Sequence, residues 1–258
     1  MHVSWTLYLA PLSSILIGTL PLLFFRRSLK LFGIAAASYF TAIAAKIAIE
    51  SAFHGFFSSP GIAAYLAYGI LTSIFEAGLA YAFILFFRKA AIEDGRSGLF
   101  YGLSLSFWEN TVLIGFLTAP FNIIDLIIIP FIPAGLLPAD ASSTYAINYL
   151  PLLLPHIIDR ISSLIVHLMF GFAAYEAVNQ SRVSRMLPVM SLGMIDSIAA
   201  WWDFNKGAMS YLDLSIILLA VTVTASFLIL AMTGELDDFR HAIIRELLFG
   251  GERKSDGK

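Results

Sequence analysis

Four ionisable side chains stand in four different apolar stretches of this chain: Glu76, Glu109, His167 and Asp196. In hydrocarbon each is costly alone, and an ionisable residue inside a membrane span is by default a candidate functional site. Three carboxylates and an imidazole, if brought together, make a donor set for a hard or borderline divalent ion, with zinc the expected choice. Whether they meet depends on their depth and on the helices that carry them.

Depth can be counted from the nearest polar boundary. Glu76 lies twelve residues before Arg88, Glu109 thirteen after Arg96, His167 twelve before Asn179 and Asp196 eleven after Arg185. At 1.5 Å per residue all four stand roughly 17–20 Å from one boundary, near the midplane of a bilayer. His156, Arg160, Ser163 and His167 are spaced four, three and four, so they share one helix face. Gly102 and Ser106 share the face of Glu109, and Asn110 adjoins it; the glycine allows close helix approach and the serine a hydrogen bond across the bundle. Lys46 and Glu50, at i and i+4, are expected to pair within their helix. His54 and His156 lie near the expected outer surface, and Trp201, Trp202 and Tyr211 read as interfacial anchors.

The elements that must carry these residues follow from composition. Of 258 residues, 59% are hydrophobic and only 13% charged, with a mean hydropathy of +0.82. This is the profile of a polytopic membrane protein. The 16 basic residues are too scattered for a nucleic-acid-binding face, and with no cysteine there is neither a disulfide framework nor a thiolate site. Seven apolar runs are long enough to cross: 5–25, 31–53, 61–87, 97–118, 152–178, 186–204 and 212–232. Each is expected as a helix, because helices satisfy their own backbone in lipid.

Basic residues cluster after the first, third, fifth and seventh runs, thirteen of them, against Lys206 alone on the other side. The N-terminus is therefore expected outside and the C-terminus in the cytoplasm. The stretch 120–137, broken by Asp125, Pro130 and Pro133, is expected to be a re-entrant or interfacial cap on the outer face. The chain divides into a transmembrane bundle, 1–233, and a cytoplasmic amphipathic helix and tail, 234–258. Leu236, Phe239, Ile243 and Leu247 give that helix its apolar face, suited to the inner surface of the lipid. Disorder is expected beyond Gly250.

Two segments resemble a known family. Gly98–Leu113 reads GLFYGLSLSFWENTVL, similar to the glycine-spaced helix ending in Glu-Asn of the PrsW family of intramembrane metalloproteases. Arg160–Phe170 reads RISSLIVHLMF, similar to that family's helix with an arginine seven residues before a histidine. The related YhfC family resembles the layout from the first span to about Phe204, and both are related to the CAAX proteases. The resemblance implies a prokaryotic cytoplasmic-membrane enzyme that cleaves a membrane-embedded or membrane-proximal peptide. It assigns Glu76 and Arg160 to catalysis, as base and as carbonyl contact, and Glu109, His167 and Asp196 to a divalent metal, zinc by expectation. Four positions depart from the family pattern: Ala77 replaces the second glutamate of a pair, Ala80 a basic residue, Leu192 a histidine and Leu105 a histidine of YhfC-like chains. An inactive membrane scaffold of the same fold is the first alternative, and a transporter using the midplane groups the second. A retinal-type receptor is excluded, since the last run contains no lysine for a Schiff base.

Overall fold

A computed structural model describes residues 3–24, 28–91, 97–118, 122–138 and 141–249. Among them there are helices and connecting turns but no strand. Six helices are long and apolar enough to cross a membrane: α1 (Trp5–Leu23), α2 (Leu29–Ala52), α3 (Ile62–Phe86), α5 (Leu150–Asn179), α6 (Val183–Phe204) and α7 (Tyr211–Thr233). Between α3 and α5 the chain is helical again over Ser97–Ser106 and Phe107–Leu117, here taken together as α4. This is the seventh expected span. Its serines and the Glu109–Asn110 pair lower its hydropathy, and it packs against α1, α2 and α5. The protein is an all-α polytopic bundle.

Helix α5 is its axis. Two thirds (67%) of its most apolar window is buried, against 22–39% for the other five spans. The helices close on one another through glycines, as expected where lipid tails are as apolar as leucine and only close packing discriminates. At the α4–α5 crossing a Cβ on Gly171 would lie 2.2 Å from the Gly102 backbone, and one on Gly102 would lie 2.7 Å from the Leu168 backbone. At the α3–α6 crossing, Gly193 meets the Ser73 backbone at 2.5 Å and Gly69 meets Met194 Cα at 2.8 Å, measured in the same way. Gly18 of α1 is pressed against Thr111, and Gly115 of α4 against Ile15. The first two crossings fix the site. Gly102 is two turns before Glu109 and Gly171 one turn after His167, while Gly69 is two turns before Glu76 and Gly193 one turn before Asp196.

The half of the bundle at the basic turns is filled by a continuous core that includes Leu31, Ile84, Leu99, Tyr101, Phe170, Met186 and Val189. At the other end short helical turns (Ile123–Ile128, Ile129–Phe131, Ala134–Leu136 and Ala141–Thr144) fold back over the N-terminus. Tyr8 Oη donates to Leu126 O at 2.7 Å, and Leu7, Ala10, Leu126, Ile129, Tyr145 and Tyr149 form a second small core. The broken segment is thus a cap and not a span.

Gly234, in the left-handed conformation (φ 72°), ends α7 and turns the chain into α8 (Leu236–Phe249). Leu236, Phe239, Ala242 and Ile243 pack on the bundle core, with Phe239 edge-on to Phe172 at 5.0 Å. Leu236, Phe239 and Ile243, expected to lie on lipid, thus lie on the bundle instead. Buried Glu235, paired with Arg185 at the base of α6, anchors the junction. The tail beyond Phe249, where disorder is expected, lies outside the described residues.

Candidate metal centre

Glu76 and Glu109 both sit in π-helical turns, Thr72–Ala77 and Phe107–Leu117. Such turns insert a residue into the helical repeat and recur at functional sites. His167, on regular α5, projects between them. One ligand atom from each of these three residues lies within 4.8 Å of the others. Their side chains are 9%, 15% and 5% exposed, so the group is buried, and it can hold a metal ion.

The imidazole is oriented from one side. His167 Nδ1 lies 3.0 Å from the Ser163 carbonyl oxygen, four residues earlier, and 3.0 Å from Glu109 Oε2. A carbonyl only accepts, so Nδ1 carries a proton. Nε2 is the nitrogen left to offer a lone pair. It is buried, makes no hydrogen bond and faces Glu76 Oε2 at 3.4 Å. A tetrahedral ion holding its ligands at 2.0–2.1 Å spaces them about 3.3 Å apart. The Nε2–Oε2 pair already has that spacing. Tyr39 and Phe170 contact the ring edge-on at 5.8 and 5.9 Å and hold its plane. A backbone carbonyl or carboxylate on the second nitrogen is the usual support of a metal-binding histidine.

Each carboxylate is also held by a cation. Arg160 Nη1 donates to Glu109 Oε1 at 3.1 Å and to Asn110 Oδ1 at 3.4 Å. Its Nε and Nη2 donate to Asp159 Oδ2 at 3.2 and 2.6 Å. Lys46 Nζ donates to Glu76 Oε1 at 2.6 Å and to Thr72 Oγ1 at 2.7 Å, and lies 3.5 Å from Asp196 Oδ2. Among the described residues the hydrogen bonds of Lys46 thus run across the bundle, and Glu50, the partner that the spacing within α2 suggested, feels it only as a nearby charge. The isolated pair on a helix surface contributes only about 0.3–0.5 kcal/mol, whereas two carboxylates across the bundle attract the ammonium in a far less polar medium. Sequence reasoning missed Lys46 as a site residue. The signal was present: Lys46 stands inside the second apolar run, where a lysine paired only with a helix neighbour is expensive.

Asp196 belongs to the same cavity but lies outside the group of three. It accepts from Thr72 Oγ1 and from Lys46, its Oδ1 has no partner among the described residues, and its side chain is 46% exposed to the cavity. Of the expected residues, Glu76, Glu109, His167 and Arg160 are thus brought into direct contact, and Asp196 is joined through Lys46. His156 turns away, pairing with Ser14 of α1 at 2.8 Å. Ser106 receives Asn110 Nδ2 at 3.0 Å within its own helix instead of bonding across the bundle.

The cavity holds about 710 Å³ and runs from these groups toward the capped end, where Trp202, Asp203, Lys206, Tyr149 and Tyr211 line it. Trp202 stacks on Tyr211 with centroids 5.3 Å apart, and both line the cavity. In its deep part four carboxylates (Glu76, Glu109, Asp159 and Asp196) face two cations, Lys46 and Arg160. In the neutral form in which an imidazole binds a metal, His167 leaves two formal negative charges, which one divalent ion balances. Compared with family models, with curated proteins and with solved structures, the chain matches none.

Proposed function

We propose that this protein is an intramembrane metal-dependent endopeptidase, resembling the PrsW and YhfC families, in a prokaryotic cytoplasmic membrane. The observation that carries the reading is His167 Nε2, buried without a hydrogen bond and set 3.4 Å from Glu76 Oε2, with Glu109 Oε2 3.0 Å from the other ring nitrogen, in a buried cavity where four carboxylates face two cations. Zinc suits one nitrogen and two carboxylate oxygens. When bound, such an ion lowers the pKa of water and polarises a carbonyl.

The chain's own residues divide the remaining work. His167, Glu76 and Glu109 hold the ion. Asp196, with a free oxygen facing the cavity, takes the proton of the attacking water and returns it to the leaving amine. The roles of Glu76 and Asp196 are therefore exchanged relative to the expectation from resemblance, because Glu76 Oε2 is set on His167 whereas Asp196 keeps an oxygen open to the cavity. Arg160 fixes Glu109 and Asp159 and has one Nη2 hydrogen left to hold a peptide carbonyl.

Access supports a hydrolase over a transporter. The lining comes from the midplane and the capped end, while the opposite half is closed by core side chains. A helical turn 10–12 Å across and 5.4 Å high fills about 400–600 Å³, so the cavity takes little more than one turn. The substrate is a short unwound segment. One observation favours a second reading, a non-catalytic scaffold: Lys46 already compensates Glu76 and Asp196. Purified protein in liposomes, given a library of membrane-anchored peptides, separates the two. Cleavage that stops with chelator and in His167→Ala supports the peptidase. Absence of cleavage from metal-loaded protein leaves the scaffold.

A further inference from the structure

Lys46 is tied down more completely than a charge-balancing lysine requires. Its ammonium faces three oxygens on two other helices: Glu76 Oε1 at 2.6 Å, Thr72 Oγ1 at 2.7 Å and Asp196 Oδ2 at 3.5 Å. Thr72 donates in turn to Asp196. Two carboxylates and a hydroxyl converging on one point form a hard-oxygen nest of the kind that takes a small divalent cation. Glu76 joins this nest to the neighbouring group: Oε1 turns to Lys46 while Oε2 turns to His167. A carboxylate placed this way is the bridging ligand of a two-metal site, where ions stand about 3.5–4 Å apart.

We propose that Lys46 is a built-in second cation. Its ammonium fills the position of a second divalent ion, so the cavity is a two-cation centre in which the chain itself supplies one. Lys46 thereby acts as a positioning residue: it fixes Glu76 by one oxygen, presents the other to His167 and keeps Asp196 from becoming a ligand. In part this rests on the metal reading above, since it places the neighbouring ion at Glu76, Glu109 and His167.

The test counts Co²⁺ ions bound per chain, by equilibrium dialysis of the full-length protein in detergent followed by elemental analysis. Lys46→Met removes the ammonium at similar length, and Lys46→Gln does so with a neutral polar group should the first variant not fold. Both are expected to bind one ion more than the unmodified protein. Lys46→Arg, which keeps the charge, is expected to bind no more. Adding Asp196→Asn to Lys46→Met should abolish the extra ion, whereas Asp196→Asn alone should leave the count unchanged. Equal counts with and without the ammonium overturn the proposal. The two readings separate cleanly. No ion in the unmodified protein and one in Lys46→Met uphold the built-in cation and sink the proposed metal centre. One ion in each does the reverse, and none in either sinks both.

Discussion

Gly171→Ala perturbs the site without touching any group in it. The added methyl carbon would lie 2.2 Å from both Cα and N of Gly102, where ordinary contact begins near 3.4 Å. The obstacle is backbone and cannot rotate away, so α4 and α5 must part by about 1.2 Å to restore ordinary contact, a figure set by those two distances. Glu109 and His167, two turns and one turn from the crossing, move apart with their helices. The 3.0 Å approach of Nδ1 to Glu109 Oε2 opens beyond 4 Å if it takes up the whole shift. Overpacking of this size costs about 1–3 kcal/mol. Disturbing the support of one ligand lowers metal affinity about 10–100-fold. Gly33→Ala is the matched control: nothing lies within 4 Å of its added carbon, and relief of glycine entropy in a helix gains roughly 0.5–1 kcal/mol. Denaturant unfolding in detergent gives the first quantity and Co²⁺ titration the second. If Gly171→Ala unfolds and binds Co²⁺ like Gly33→Ala, the claim that this crossing sets the centre is refuted.

Arg160→Met leaves Glu109 and Asp159 buried without their common cation and should cost about 3–5 kcal/mol of stability. Arg160→Lys should recover little, since an ammonium cannot reproduce the fork that reaches both acids. At the end that carries the basic turns, Arg185→Ala and Glu235→Ala should each destabilise the docking of α8, while the double variant should lose less than their sum, as a double-mutant cycle will show. Burial holds the Glu235 carboxyl above its ordinary value of 4.5, despite the opposing pull of Arg185. The folded state therefore keeps this proton to higher pH than the unfolded one. Its contribution is fully present below 4.5 and declines as pH rises through the folded value. Hydrogen exchange of α8 between pH 4 and 7 should show protection falling with pH, and Glu235→Gln should flatten that dependence.

Much of this architecture was legible in the chain because membranes constrain sequence strongly. Apolar runs mark all seven helices, six of which are also apolar enough in the fold to cross a membrane, and proline breaks mark the cap. A shared count from the basic turns brings Glu76, Glu109 and His167 to one level, and the Gly102 face anticipates the closest crossing. What was hidden depends on phase and on tertiary partners. The π-turns at Thr72–Ala77 and Phe107–Leu117 re-aim side chains that a 3.6-residue period assigns elsewhere. Lys46 sits four residues from Glu50, a spacing that argues for a local pair. Only the fold shows that two acids from α3 and α6 stand closer. The same step removes Asp196 from the group of three, since depth places it at the right level and Lys46 decides what it touches. For α8 the amphipathic pattern was correct in kind, but period cannot tell a lipid surface from the end of a bundle.

The most direct measurement is the metal content of protein purified without chelators, set beside Glu109→Ala and His167→Ala in the same detergent. One divalent ion per chain, lost in both variants while helical content is kept, is the expected result. A metal-free protein that cannot be loaded, or an ion retained in both variants, would contradict the centre built from Glu76, Glu109 and His167.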